Sequence, residues 1–298
     1  MRIFYQTAPH LSRSIHRVEA AFKRYAPASV VFVDDWRTAD LCLENAFDVN
    51  PLDPDQVPRL TRPYGLLWMG DVPPGWVPPS PALAAAQRQR HQECAAARFV
   101  YSFLPHTAAV APGRVIVGPL GVDPAQFPWS GAPRDWDVLT TGYVAPTECL
   151  DSVYEAVRAM HARWVHIGGA LPELGAWESP RRQRYEGIPD TALAAWYRRT
   201  RYVTGCRGGA GSPWGFELPV LEGLCAGARP ICLDLPPYRH WYGDHAVYVA
   251  AGDRDTVARA LQAVLAGPER PVTPAERDEV AAAFAWERVA RAFWHAVL

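Results

Sequence analysis

The stretch SPWGFELPVLEGLCAGARPI, residues 212–231, has the pattern of a turn, a short helix and a buried strand. Pro219 falls in the first turn of the predicted helix, where its missing N–H costs no hydrogen bond. Glu222 follows within the next turn, and the glycine-rich run CRGGAG occupies residues 206–211 just upstream. A lone acid and a glycine-rich loop next to the start of one helix indicate a ligand-binding site. The rest of the chain has to indicate the class of ligand.

Strand-like and helix-like segments alternate along the chain on both sides of a segment rich in proline and glycine, residues 121–136. Such alternation is typical of α/β layering with parallel sheets. The pattern predicts two Rossmann-like domains that face a cleft, an N-terminal one at 1–125 and a C-terminal one at 126–280. A last helical segment begins near residue 273, and we expect its final part, 281–298, to pack back on the N-terminal domain.

Composition narrows the class of protein. The 298 residues carry a net charge of −1, which argues against a general nucleic-acid or membrane-surface binder. No apolar run is long enough for a transmembrane helix, and the first residues lack the apolar core of a signal peptide, so we expect a cytoplasmic protein. The six cysteines form no CxxC pair and show no regular spacing, so the sequence does not predict a zinc site. Lys23 is the single lysine, so a side chain that clamps phosphate should be an arginine.

Four segments together resemble one known family, and they occur in its order. They are VIVGPLGVDPAQFP (115–128), YEGIPDTALAAWYRRTRYV (185–203), GFELPVLEGLCAGARPI (215–231) and FAWERVARAF (284–293). They are similar to signature segments of the nucleotide-sugar-dependent glycosyltransferases with the GT-B fold, in particular the "glycosyl transferases group 1" family. The resemblance covers most of the second half of the chain and is weak over the first third.

The resemblance implies transfer of a sugar from a nucleotide diphosphate sugar donor to an acceptor hydroxyl on a glycan or small molecule. It implies no metal and no resident cofactor, because a helix N-terminus and arginines stabilise the departing diphosphate. In this family the carboxylate at the position of Glu222 accepts the ribose hydroxyls of the donor. Without the resemblance, the pattern favours the simpler interpretation that Glu222 is an acid near the helix N-terminus that complements the helix dipole.

The same resemblance extends the donor site to further residues of the second half. The loop 185–188 should lie against the base and Gly142 should line the phosphate side, although both also fit plain strand-to-helix turns. Arg207, in the glycine-rich run, is the nearest cation that could clamp the phosphates, or a solvated loop arginine. The full predicted donor set is Gly142, Tyr143, Tyr185, Gly187, Ile188, Arg207, Trp214, Gly215, Phe216, Glu217, Leu218 and Glu222.

The chain departs from the family pattern at several of these positions. Trp214 stands where the family usually has an acid near the donor sugar, and Glu217 replaces a glycine of the turn. Tyr143 and Glu148 replace the two cations that clamp the phosphates. These departures support an alternative, a catalytically inactive GT-B protein that binds a nucleotide sugar or a partner. An epimerase or phosphorylase on the same fold is a further alternative for which no motif is present.

On the acceptor side the candidates are Asp71 and His10. Asp71 ends the strand-like run YGLLWMGD, and an acid at the carboxyl end of a strand can act as a general base or orient an acceptor hydroxyl. His10 lies in the first strand-to-helix loop. Each could instead cap a turn or a helix end.

Overall fold

The computed structural model describes residues 1–7, 13–46, 55–68, 81–104, 107, 114–131, 133–142, 149–169, 179–205 and 216–298. The chain divides into two compact units. The first consists of Met1–Gly121 together with Trp286–Leu298, and the second is Val122–Ala285. The chain therefore leaves the first unit once and returns to it for its last helix.

The first unit contains a six-stranded parallel sheet with the strand order β2-β1-β3-β4-β5-β6. Its strands are β1 (Arg2–Tyr5), β2 (Val31–Phe32), β3 (Leu41–Ala46), β4 (Tyr64–Trp68), β5 (Phe99–Ser102) and β6 (Val115–Val117). Its helices are α1 (Arg13–Arg24), α2 (Pro81–Ala96) and α9 (Trp286–Val297).

Helix α9 closes the core of the first unit. The ring of Phe293 stacks on Phe22 of α1 with a centroid distance of 4.4 Å, and its edge contacts include Tyr101 at 5.3 Å. The indole Nε1 of Trp294 donates to the carbonyl of Phe22 at 2.9 Å. The apolar positions of α9 thus fall on one face because they recur with helical spacing, and that face covers α1 and the sheet.

The second unit contains another six-stranded parallel sheet, with the order β12-β11-β10-β7-β8-β9. Its strands are β7 (Trp136–Gly142), β8 (Trp164–Gly168), β9 (Arg182–Tyr185), β10 (Thr200–Gly205), β11 (Arg229–Leu233) and β12 (Val247–Val249). Its helices are α3 (Leu150–Ala159), α4 (Asp190–Arg199), α5 (Leu218–Ala226), α6 (Pro236–Tyr242), α7 (Arg254–Ala266) and α8 (Pro274–Phe284).

The segment in which the sequence predicts a linker packs on the second unit. Phe127 is buried, and its ring centroid lies 5.9 Å from that of Tyr197. The Arg134 guanidinium donates to the carbonyls of Tyr197 at 3.3 Å and Thr200 at 2.7 Å. These contacts make the segment part of the second unit from Val122 onward.

The last helical segment is two helices rather than the continuous one that its pattern predicts. Ala285 adopts an extended conformation, with φ −55° and ψ 132°, and separates α8 from α9. Its neighbour Phe284 accepts a backbone hydrogen bond from Val122 at 2.8 Å, and Ala285 itself pairs with Val122. The break therefore lies where the chain returns from the second unit to the first.

Among the helices of the described ranges, none combines the length and the apolar character that a membrane crossing requires.

Candidate functional site

The second sheet has a topological switch point between β7 and β10. From β7 the chain proceeds through β8 and β9 in one direction, and β10 then pairs with the opposite side of β7. Gly142 ends β7 and Gly205 ends β10, so both lie at the carboxyl edge of the sheet. In open parallel sheets, ligands bind in the crevice outside the carboxyl ends of the strands at such a point.

The backbone at this edge is built from glycines. Gly142 has a φ of 118°, a conformation that side-chain-bearing residues rarely adopt. A Cβ on the adjacent Gly168, which ends β8, would lie 1.8 Å from the carbonyl oxygen of Gly142. The ends of β7 and β8 can therefore approach this closely only because position 168 is glycine.

Below this edge lies a buried polar trio. Thr140 Oγ1 accepts from the indole Nε1 of Trp164 at 2.9 Å and lies 2.8 Å from Nδ1 of His166. Burial lowers the pKa of His166 to about 4, so its imidazole is neutral at physiological pH. The trio fixes β8 against β7 without adding a charge to the site.

Helix α5 is the next element of the described chain after β10, and it begins at this edge. Glu217 is its N-cap residue, and Pro219 stands in its first turn. Gly227, with a φ of 90°, ends the helix in the left-handed conformation typical of a C-cap. Phe216, Glu217 and Leu218 are all buried.

Glu222 lies within α5 and is only 3% exposed. Its Oε2 accepts a hydrogen bond of 3.0 Å from the hydroxyl of Tyr197 on α4. A buried carboxylate needs such a partner, because an uncompensated buried charge costs several kcal/mol, on the order of 3–5. Tyr197 thus fixes the orientation of the Glu222 carboxylate.

The first sheet has its own switch point, between β1 and β3. Three buried polar side chains lie beside it. The hydroxyl of Tyr5 donates to Oδ1 of Asn45 at 3.2 Å, and Nδ2 of Asn45 donates to Oγ1 of Thr7 at 2.8 Å. The backbone N–H of Thr7 then donates to Glu19 on α1 at 2.6 Å. This network ties the end of β1 to β3 and α1.

On the other face of β3 lies Glu44, which is 0% exposed. It accepts from Nη1 of Arg59 at 3.2 Å and from Nε2 of Gln56 at 3.0 Å. Burial raises the pKa of Glu44 to about 7, although the charge of Arg59 and these hydrogen bonds act in the opposite direction.

Comparison with known proteins identifies the fold. No protein-family model and no curated protein matches the chain. Solved structures match along nearly its whole length: Alr3699/HepE of Anabaena in complex with UDP-glucose has a TM-score of 0.72 and 12% identity, over 99% of this chain and 98% of that one. AviGT4, a glycosyltransferase involved in avilamycin A biosynthesis, has a TM-score of 0.65 and 12% identity, over 99% and 96%.

A third match is the UDP-forming α,α-trehalose-phosphate synthase from Burkholderia vietnamiensis, with a TM-score of 0.58 and 13% identity, over 86% of this chain and 70% of that one. The chain has the GT-B fold. The fold class predicted from the alternation and from the resemblance is confirmed.

Within the GT-B fold, the predicted base-side loop follows β9. Tyr185 ends that strand, and its ring centroid lies 5.2 Å from that of Trp196, the residue before Tyr197 on α4. Gly187 has a φ of 64°, and Ile188 precedes the start of α4. The loop is therefore connected through α4 to Glu222 of α5.

Several predicted residues lie outside the described part of the chain, and their roles stay predictions. In the second unit these are Tyr143, Glu148, Arg207, Trp214 and Gly215. In the first unit they are the acceptor-side candidates Asp71 and His10.

Sequence reasoning missed the polar network of the first unit and the tyrosine partners in the second. One signal was present in the first case, because the apolar run LCL of β3 ends in the polar pair Glu44 and Asn45. An acid and an amide at the carboxyl end of a buried strand need partners, and both here are buried. The tyrosines carry no such local signal.

Proposed function

We propose that the protein is a glycosyltransferase that moves a sugar from a nucleoside diphosphate sugar to an acceptor hydroxyl. The observation that carries the proposal is the buried carboxylate of Glu222. It lies on α5, the helix that starts at the β7–β10 switch point, and it accepts a hydrogen bond from Tyr197 of α4. Support also comes from Alr3699/HepE, which has the same fold and was solved with UDP and with UDP-glucose. Uracil is accordingly the base that we propose first.

In this proposal each part of the site has a chemical task. Glu222 accepts the ribose hydroxyls, because a carboxylate forms short, charge-assisted bonds with such donors. The N-terminal end of α5 lies toward the diphosphate, whose negative charge grows as the sugar departs. Catalysis then consists of positioning the two substrates and stabilising that charge, and needs no metal. Activity that survives excess EDTA is the expected result, and its loss with recovery by a divalent cation would contradict metal independence.

The proposal predicts selective nucleotide binding. UDP, GDP, ADP and dTDP should be compared by thermal shift and calorimetry, and one of them should bind. Glu222→Gln should weaken its binding by roughly 1–3 kcal/mol, the range for a charged hydrogen-bond partner left incomplete. Glu279→Gln is the matched control, because Glu279 is an exposed acid of the same unit. Equal affinity in wild type and Glu222→Gln would remove Glu222 from the site.

Turnover is the second part of the test. A transferase commonly hydrolyses its donor slowly in the absence of an acceptor, so release of UDP from UDP-glucose and related UDP-sugars should be measurable. Binding without any such release would favour the inactive sugar-nucleotide binder that the departures at Trp214, Tyr143 and Glu148 suggest. Failure of all four nucleotides to bind would contradict both functions.

A further inference from the structure

We propose that Tyr238 of α6 holds the carboxylate of Glu217 away from the first turn of α5, while Tyr242 fixes the Glu217 backbone, so that the charge of Glu217 does not oppose the diphosphate of the donor at this helix end. The inference rests on the proposed function, since it assigns positioning residues to the same site. It concerns a residue at which this chain departs from the family it resembles, because Glu217 stands in place of a glycine.

Two tyrosines contact the polar groups of Glu217. The hydroxyl of Tyr238 donates to Oε1 of Glu217 at 2.5 Å. The hydroxyl of Tyr242 accepts from the backbone N–H of Glu217 at 2.7 Å and donates to its carbonyl oxygen at 3.1 Å. The side chain and the backbone of Glu217 are therefore both fixed by the same short helix.

These contacts lie in the interior of the second unit. Glu217 is 6% exposed, and both tyrosines are fully buried. A Cβ placed on Gly205 would lie 3.7 Å from Oε1 of Glu217, so the carboxylate is directed toward the end of β10. Phe216 stacks on Tyr242 with a centroid distance of 5.6 Å, which fixes the residue before Glu217 as well.

The Tyr238 hydroxyl is a permanent donor. Burial, and then the charge of Glu217, raise the pKa of Tyr238 well above its usual value, so its hydroxyl is protonated at neutral pH. Tyr238 can therefore act as the donor in its hydrogen bond to Glu217.

Restraint of Glu217 matters because of its position. It is the N-cap residue of α5, where an acidic side chain can accept from the N–H groups of the first turn. Asp253 and Thr273 do this at α7 and α8, accepting from Thr256 at 2.8 Å and Glu276 at 3.2 Å. In the described part of the chain Glu217 makes no such cap, and its carboxylate bonds Tyr238 instead.

A carboxylate turned toward the first turn of α5 would oppose the donor, because it would bring a negative charge close to the diphosphate, where like charges repel. A glycine at this position carries no such charge. The glutamate therefore needs a partner that holds its charge elsewhere, and Tyr238 is that partner.

Calorimetry with UDP and with uridine tests this role, because only UDP carries the phosphates. Tyr238→Phe should weaken UDP binding about tenfold and leave uridine binding unchanged, since the released carboxylate acts on the phosphates alone. Tyr248→Phe is the matched control. It removes another hydroxyl from this region, one that donates to the carbonyls of Tyr238 and Gly243.

A rescue experiment separates this role from simple support of the fold. Glu217→Gln removes the charge, so it should tighten UDP binding severalfold, and Tyr238→Phe in that background should cause no further loss. If Tyr238→Phe does not fold, the Glu217→Gln variant alone decides, and weaker UDP binding there overturns the inference. Unchanged UDP affinity in Tyr238→Phe, or equal losses for UDP and uridine, would also overturn it. A wild-type protein that binds no nucleoside diphosphate would instead refute the proposed function.

Discussion

Glu44 shows how one buried side chain links the stability of the first unit to pH. Its carboxyl has a pKa of about 7 in the folded chain, against an ordinary value of 4.5. Folding therefore favours its protonated form. The corresponding stability is fully present below pH 4.5 and is lost as the pH rises through 7.

Glu44→Gln should remove this dependence. Between pH 5 and pH 8 the free energy of unfolding of the wild type should fall relative to that of the variant, by up to about 3 kcal/mol from proton linkage. Urea titrations at each pH measure the difference. Glu19→Gln is the control: burial acts to raise the pKa of Glu19, but its hydrogen bonds with Lys23 and Thr7 together outweigh burial, so this pKa is lowered. The same change of unfolding free energy with pH in the wild type and in Glu44→Gln would contradict the prediction.

Sequence reasoning can nominate a residue where a motif surrounds it, and cannot name partners that are distant in the chain. Glu222 is a candidate because it lies in the segment GFELPVLEGLCAGARPI, which resembles a signature of the family. Its partner Tyr197 lies 25 residues away on another helix. Local sequence cannot specify that pairing, because tertiary packing brings the two helices together.

Helix α8 is anchored to the second sheet by a bidentate ion pair. The buried guanidinium of Arg229, on β11, donates to both carboxylate oxygens of Glu276 at 2.8 and 2.9 Å. Glu276 also completes a capping box with Thr273 at the start of α8. The hydrogen bond from Arg229 is the largest cause that lowers the pKa of Glu276 to about 2.

Glu276→Gln should lower the free energy of unfolding by about 2 kcal/mol at pH 7, because glutamine keeps the capping box but lacks the charge that pairs with Arg229. Since the folded pKa is depressed, the stabilisation is present above pH 4.5 and declines as the pH falls toward 2. The difference in unfolding free energy between the wild type and Glu276→Gln should therefore become smaller in acid. Thr273→Ala loses the cap and keeps the ion pair, so its difference from the wild type should change little between pH 7 and pH 4. A difference for Glu276→Gln that does not change with pH would contradict the assignment.

The elements themselves were largely predictable. Helix α5 runs from Leu218 to Ala226 as its sequence predicts, because a proline and a glycine mark its two ends. The pattern did not predict β9, α6 and β12, which are short and lack a clear hydrophobic period. It also did not predict the break at Ala285, because alanine is a strong helix former and the backbone pairing with Val122 overrides it.

The first unit is assembled from two segments that are far apart in the sequence. Trp286–Leu298 belongs to it, although 164 residues of the second unit, Val122–Ala285, separate this segment from Met1–Gly121. The sequence pattern predicts that the last segment returns to the first domain, but the apolar face of α9 does not indicate which side chains it covers. The aromatic contacts of Phe293 and Trp294 supply that information.

Phe293→Ala should therefore destabilise one unit selectively. Phe293 is 1% exposed and packs on Phe22, Phe99 and Tyr101, so truncation should cost about 3–5 kcal/mol. Hydrogen exchange measured by mass spectrometry should rise in β1, α1 and β5 and stay near wild type in β7, β10 and α5, because each unit has its own core. Arg288→Ala, an exposed change on the same helix, should alter neither region. Equal loss of protection in both units would mean that they unfold as one, and that the end of the chain stabilises the whole molecule rather than the first unit.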